Sequence, residues 1–175
     1  MLVATLLLAL QSKPAIPPAS AFQPTGPKIV VTMQGGKSFT ITTDKAGSPK
    51  TVTHIAALIK KGFYDCQRIH RVEPWVTQWG APASKTKPMT DEAVLGGGSG
   101  KDMPFEGSKW DYYRGVVGIA SEGLQLGGDS QIFVLKKDAF RLFGSYAVLG
   151  KVTSGMGVVD NIKKGDRIKS VRISR

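Results

Sequence analysis

An arginine set among apolar and amide side chains is the first feature of this sequence with a capacity for chemistry. It lies in the stretch Gln67-Arg68-Ile69-His70-Arg71-Val72-Glu73-Pro74-Trp75-Val76-Thr77-Gln78-Trp79-Gly80. Ile69 and Val72 flank the His70-Arg71 pair, and the alternation around them reads as a β-strand with one buried face. Strand neighbours point to opposite faces, so His70 and Arg71 cannot both meet solvent if either side of the sheet packs on a core. Arg71 beside Trp75, Val76 and Gln78 makes a cationic donor set over an apolar shelf. Such a donor polarises a bound group while staying charged at any working pH. The plainer reading of the same residue is a solvated face or half of an ion pair.

The elements that must hold this stretch begin at Lys28. Lys28 to Met33 and Ser38 to Thr43, joined across Gly35-Gly36, read as a β-hairpin. The two glycines supply the positive-φ positions that a tight turn needs. Ser48-Pro49 reads as an N-cap followed by proline in the first turn of a helix. Val52, Ile55, Ala56 and Ile59 then recur at helical spacing, and Gly62 closes the helix after Lys60-Lys61. His54 falls on the polar side of that stripe and reads as a surface residue. Arg114 to Ser121 and Asp129 to Leu135 each contain a short strand, joined by a glycine-bearing loop. Gly155 to Ile162 reads as a second amphipathic helix, and Arg167 to Ile173 as a closing strand.

Composition narrows the function. The chain has 175 residues, with 21 Gly and 10 Pro, which favours one turn-rich β domain over a helical bundle. Cys66 is the only cysteine, so an intrachain disulfide and a cysteine-based zinc site are excluded. His54 and His70 are the only histidines, and neither a metal nor a cofactor is expected. The net charge of +11 raises the question of nucleic acid, but the basic residues are scattered apart from isolated Lys pairs. No specific nucleic-acid partner is expected. Gly96 to Lys101 fails as a phosphate loop, because Leu95 and Asp102 stand where Gly and Ser or Thr are needed. It reads as a flexible loop.

Met1 to Leu10 is apolar but too short to span a membrane. A Pro-rich segment and Ala19-Ser20-Ala21 follow, a pattern suited to signal peptidase. The expected organisation is a signal peptide over 1–21, a tail over 22–27 and a folded domain over 28–175. The expected product is exported, periplasmic or secreted, with no membrane segment in its mature form. It would be cytoplasmic if the N-terminal segment is not a signal; a disordered tail is the alternative there.

Two stretches resemble the cyclophilin family of peptidyl-prolyl isomerases. The family segment Phe-His-Arg-Val-x-Pro-Gly-Phe-x-x-Gln-Gly-Gly-Asp is matched from Ile69 to Pro74 at all but the first residue. The Gly after the proline is missing, which puts Trp75 on the family Phe, Val76 on the next pocket position and Gln78 on the family Gln. Ile119-Ala120 and Ser130-Gln131-Ile132-Phe133 are similar to the family's Met-Ala and Ser-Gln-Phe-Phe, with Ser121 in place of an Asn that acts through its backbone. Further on, Leu142 takes an apolar pocket position and Tyr146 a position held by His or Tyr. Arg141 stands where some members carry a Trp that supports binding of cyclosporin.

The resemblance implies a mainly β fold, a closed eight-stranded antiparallel barrel capped by two α-helices. It implies a monomeric enzyme, a peptidyl-prolyl cis-trans isomerase acting on proline-containing polypeptides during folding. Arg71 would be the catalytic residue. Trp75, Val76, Gln78, Ala120, Ser121, Gln131, Phe133, Leu142 and Tyr146 would bind substrate, with Phe133 as the floor of the proline pocket. The guanidinium is expected in a water-poor site, where a fixed charge acts most strongly. The alternative is a proline-peptide-binding chaperone or scaffold module without turnover, because Trp75, Trp79 and Arg141 enlarge the pocket rim.

Overall fold

The computed structural model describes residues 15–174. The apolar run from Met1 to Leu10 lies outside the described residues. Strands β1 (Lys28–Met33) and β2 (Ser38–Thr43) form the expected hairpin, with Ile29 opposite Ile41 and Val31 opposite Phe39. Gly35 and Gly36 take φ of 97° and 89°, values that an L side chain resists. Helix α1 (Pro49–Lys60) buries Val52, Ile55, Leu58 and Ile59, one stripe at helical spacing. Strands β3 (Arg71–Val72), β4 (Val76–Trp79), β5 (Val116–Ile119), β6 (Ile132–Leu135), β7 (Ala147–Ser154) and β8 (Ile168–Ser174) follow, with helix α2 (Met156–Asp160) between the last two. The second helix is shorter than its sequence pattern predicts.

The eight strands form one antiparallel sheet in the order β3-β4-β6-β5-β7-β2-β1-β8. It is a curled half-barrel, with α1 against β7 and β8 and α2 against β2. The ladder ends at β3 and β8, so the expected closed barrel is met only as an eight-stranded curl. β3 is two residues long because Pro74 ends it, and too little strand remains there for a ladder to the other edge. The two edges meet at a seam just outside them. Arg68 and Arg167 form an isolated bridge, the Ile69 N–H donates to the Asp166 carbonyl at 2.9 Å, and the Gly165 N–H donates to the Ile69 carbonyl at 2.8 Å.

Both faces of the middle strands are buried, and each strand serves two cores. In β6, Ile132 and Val134 join the large cluster inside the curl with Phe39, Ile41, Trp79 and Leu149. Phe133 and Leu135 point the other way, into a second cluster with Val76, Tyr112, Val116 and Val148. Phe22 belongs to that second cluster. It is 2 % exposed and stacks on Trp110 at 4.7 Å between ring centroids. The segment read as a tail is therefore partly built in. The Gly26 N–H also donates to the Thr43 carbonyl, and the Tyr113 hydroxyl to the Pro17 carbonyl.

Candidate active site

The stretch around Arg71 is a hairpin rather than one strand. β3 and β4 pair Arg71 with Gln78 and Val72 with Thr77, and Pro74-Trp75 make the turn. The Glu73 N–H donates to the Val76 carbonyl at 2.8 Å, and Pro74 at the second position of the turn has the φ such a turn needs. This fold-back sets Arg71 opposite Gln78. It also orders the pair His70-Arg71: His70 is 2 % exposed and Arg71 faces out. Burial first, and then the nearby charges of Arg71 and Lys164, lower the His70 imidazole to about 4, so it is neutral at ordinary pH.

The β4–β6 ladder then puts Gln78 beside Phe133. Arg71 donates from Nη1 to Gln78 Oε1 at 3.3 Å, and Gln78 Nε2 donates to Gln131 Oε1 at 3.3 Å. Next to this polar line lies an apolar cluster. Val76 and Phe133 are buried in it, and Trp75, Ala120, Leu142 and Tyr146 pack against it while keeping part of their surface open. The Phe133 ring is held by Tyr112, at 6.2 Å, and by Tyr146, edge-on at 5.8 Å. Gly118 faces it across β5 and β6, and a Cβ there would overlap three atoms of the ring.

Ser121 stands apart. Its hydroxyl donates to the Gly123 carbonyl of its own loop at 2.7 Å, and it lines a neighbouring cavity of about 700 Å³ with Gln78, Ala120 and Gln131. The opposite wall of that cavity is the Gly96–Gly100 loop, which is pinned rather than free. Ser99 and the Gly100 N–H donate to the Asp129 carboxylate, and Gln131 Nε2 donates to the Gly97 carbonyl at 2.8 Å. His54, expected on the surface, is nearly covered, with Nε2 at 2.9 Å from Asp129. Burial opposes ionisation of Asp129, yet the bonds from Ser99, His54, Lys101 and Gly100 hold it below the usual carboxylate range.

Arg71 departs from the water-poor setting predicted for it. Its side chain is 43 % exposed, on a two-residue strand at the edge of the sheet. Nε donates to Glu73 Oε1 at 2.6 Å, and Glu73 Oε2 accepts from the Trp75 indole at 2.7 Å. The Trp75 ring meets two cations, with the Arg71 guanidinium 5.4 Å and that of Arg141 4.2 Å from its centroid. Sequence reading missed Glu73 as a partner. The signal was its position two residues from Arg71, on the same face of an extended chain.

Residues 28–175 match the family described as "Cyclophilin type peptidyl-prolyl cis-trans isomerase/CLD". The chain is 35 % identical over 160 residues to a probable peptidyl-prolyl cis-trans isomerase of Brucella abortus, covering 89 % of this chain and 81 % of that one. It is 34 % identical over 129 residues to peptidyl-prolyl cis-trans isomerase B of Bacillus subtilis, covering 72 % of this chain and 83 % of that one. In fold it is similar to a cyclophilin-type peptidyl-prolyl cis-trans isomerase of Cryptosporidium parvum, with a TM-score of 0.73 at 20 % identity over 86 % of this chain and 99 % of that one. The Arg71–Gln78 hairpin thus sits in a domain matched along its whole length, and the chain belongs to the cyclophilin-type peptidyl-prolyl cis-trans isomerase family.

Proposed function

We propose that this chain accelerates the cis–trans rotation of X-Pro bonds in polypeptides, with Arg71 as the catalytic residue. Amide resonance opposes that rotation with a barrier of about 18–20 kcal/mol, and the uncatalysed bond turns over in tens to hundreds of seconds. A donor that draws the proline nitrogen lone pair out of resonance lowers the barrier. Arg71 supplies such a donor without proton transfer, and no cofactor enters the scheme. The ring rests on Phe133 and Val76, walled by Trp75, Leu142, Tyr146 and Ala120, while the preceding carbonyl rotates. Gln78 and Gln131 align Arg71 and the substrate backbone, and Ser121 contacts the chain ahead of the proline through its backbone. The substrate itself covers Arg71 on binding, which gives the exposed guanidinium the drier setting in which its charge acts. An acceleration of about five decades requires roughly 7 kcal/mol of barrier lowering.

The observation that carries this reading is the Arg71–Gln78–Gln131 line, set by the β4–β6 ladder beside Phe133 and the apolar cluster it shares with Val76. Arg71→Ala is expected to lower turnover of a proline peptide by about two decades or more while the far-UV spectrum stays that of the wild type. Equal rates would remove Arg71 from the mechanism. A second reading, capture of proline-containing chains without turnover, draws on the Glu73 pairing that already occupies Arg71 Nε. Saturable peptide binding with no acceleration in the wild type would favour it. The proposal also takes the Arg68–Arg167 seam as the closure of a barrel. It includes a monomer without a nucleic-acid partner, exported by a segment removed after Ala21, the residue before the buried Phe22.

A further inference from the structure

We propose that Glu73 is a positioning residue that fixes Arg71 and Trp75 as one unit at the mouth of the proline pocket. This rests on the isomerase reading above. Arg71 lies in β3 and Glu73 just past its end, two residues on, and their side chains meet on the same side of the chain. Both oxygens of the carboxylate are engaged, one by Arg71 Nε and the other by the Trp75 indole N–H. Gln78 holds the guanidinium a second time, at Nη1. A planar group restrained at two nitrogens has lost most of its rotational freedom, and its remaining N–H bonds point away from both restraints. Those N–H bonds are the ones a substrate can take.

The same carboxylate aims the pocket wall. Its bond to the indole fixes the Trp75 ring against the Arg71 and Arg141 guanidiniums, which sit on it at 5.4 and 4.2 Å. An exposed ion pair alone contributes little. Here the pair is one edge of a Gln78–Arg71–Glu73–Trp75 network, and the hydrogen bond from Arg71 is the largest influence holding Glu73 below the ordinary glutamate range.

The test separates turnover from binding. With a saturating series of a proline peptide, Glu73→Ala is expected to lower kcat about tenfold and, through the released Trp75 wall, to raise KM about threefold. Glu73→Gln keeps an oxygen for Arg71 Nε without the charge, and is expected to recover part of that loss, to about threefold below the wild type. The Arg71 Nε–H resonance in nitrogen-labelled protein should be protected from exchange in the wild type and lost in Glu73→Ala. A Glu73→Ala enzyme with wild-type kcat, or one that loses kcat while the Nε–H stays protected, overturns the role of Glu73. If Arg71→Ala is inactive while Glu73→Ala keeps the wild-type kcat, only this role falls. A wild type without isomerase activity brings down both it and the reading beneath it.

Discussion

Phe133 shows how one side chain at the candidate site depends on the absence of another. Its ring lies over Gly118, whose missing Cβ is the space the ring fills, and it packs against Tyr112 and Tyr146. Gly118→Ala is expected to destabilise the domain by about 1–3 kcal/mol through overpacking. A lower urea midpoint at unchanged slope, with a raised KM for proline peptides, is the measurement that checks it. At this scale the sequence was informative where residue type alone decides: Arg71, Gln78, Gln131 and Phe133 were all named from their motifs. The Glu73 clasp and the Trp75–Arg141 stack were not legible, because they depend on which rotamers long side chains choose above a turn. The exposure of Arg71 was also misjudged. A strand pattern gives the direction of a side chain but does not say whether a further layer covers it.

Among the elements, α1 is held at its start by a residue far away in the chain. Ser48 has the type of an N-cap, but its hydroxyl makes no cap bond. Glu106 takes its place, accepting from the Lys50 N–H at 3.0 Å and from the Thr51 N–H and hydroxyl at 2.7 Å each. A carboxylate there also suits the positive end of the helix. Glu106→Ala is expected to cost about 0.5–2 kcal/mol, the range for losing a cap. Thermal unfolding followed by circular dichroism reads it, and Ser48→Ala should give the smaller shift. Local patterning located this helix to within a residue, because Val52, Ile55 and Ile59 mark its buried stripe. The cap and the pinned Gly96–Gly100 loop depend on partners distant in sequence, Glu106 and Asp129, to which local reading has no access.

At the scale of the whole molecule, eight short strands in one antiparallel sheet were legible from alternation, turns and family resemblance together. Closure is where the expectation fails: a closed barrel is expected, and the ladder instead ends at β3 and β8, because the two-residue β3 offers too little edge to continue it. Burial of His70 makes global stability depend on pH. Its folded value of about 4 lies below its ordinary 6.5, so between these the unfolded chain binds a proton that the folded chain refuses. Stability is fully present above about 6.5 and declines as the pH falls toward 4, by at most about 1.4 kcal/mol per unit. Chemical denaturation at pH 7.5, 6 and 5 should show this decline, and His70→Asn should show a shallower one. The stacking of Phe22 on Trp110 has a practical consequence for how far the polypeptide can be shortened. Trimming through Ala21 forfeits the Tyr113–Pro17 bond but leaves the aromatic plug seated. Trimming one residue more strips the indole of its cover and wets the oily cluster under the site, so a recombinant fragment should start at Phe22 rather than Lys28.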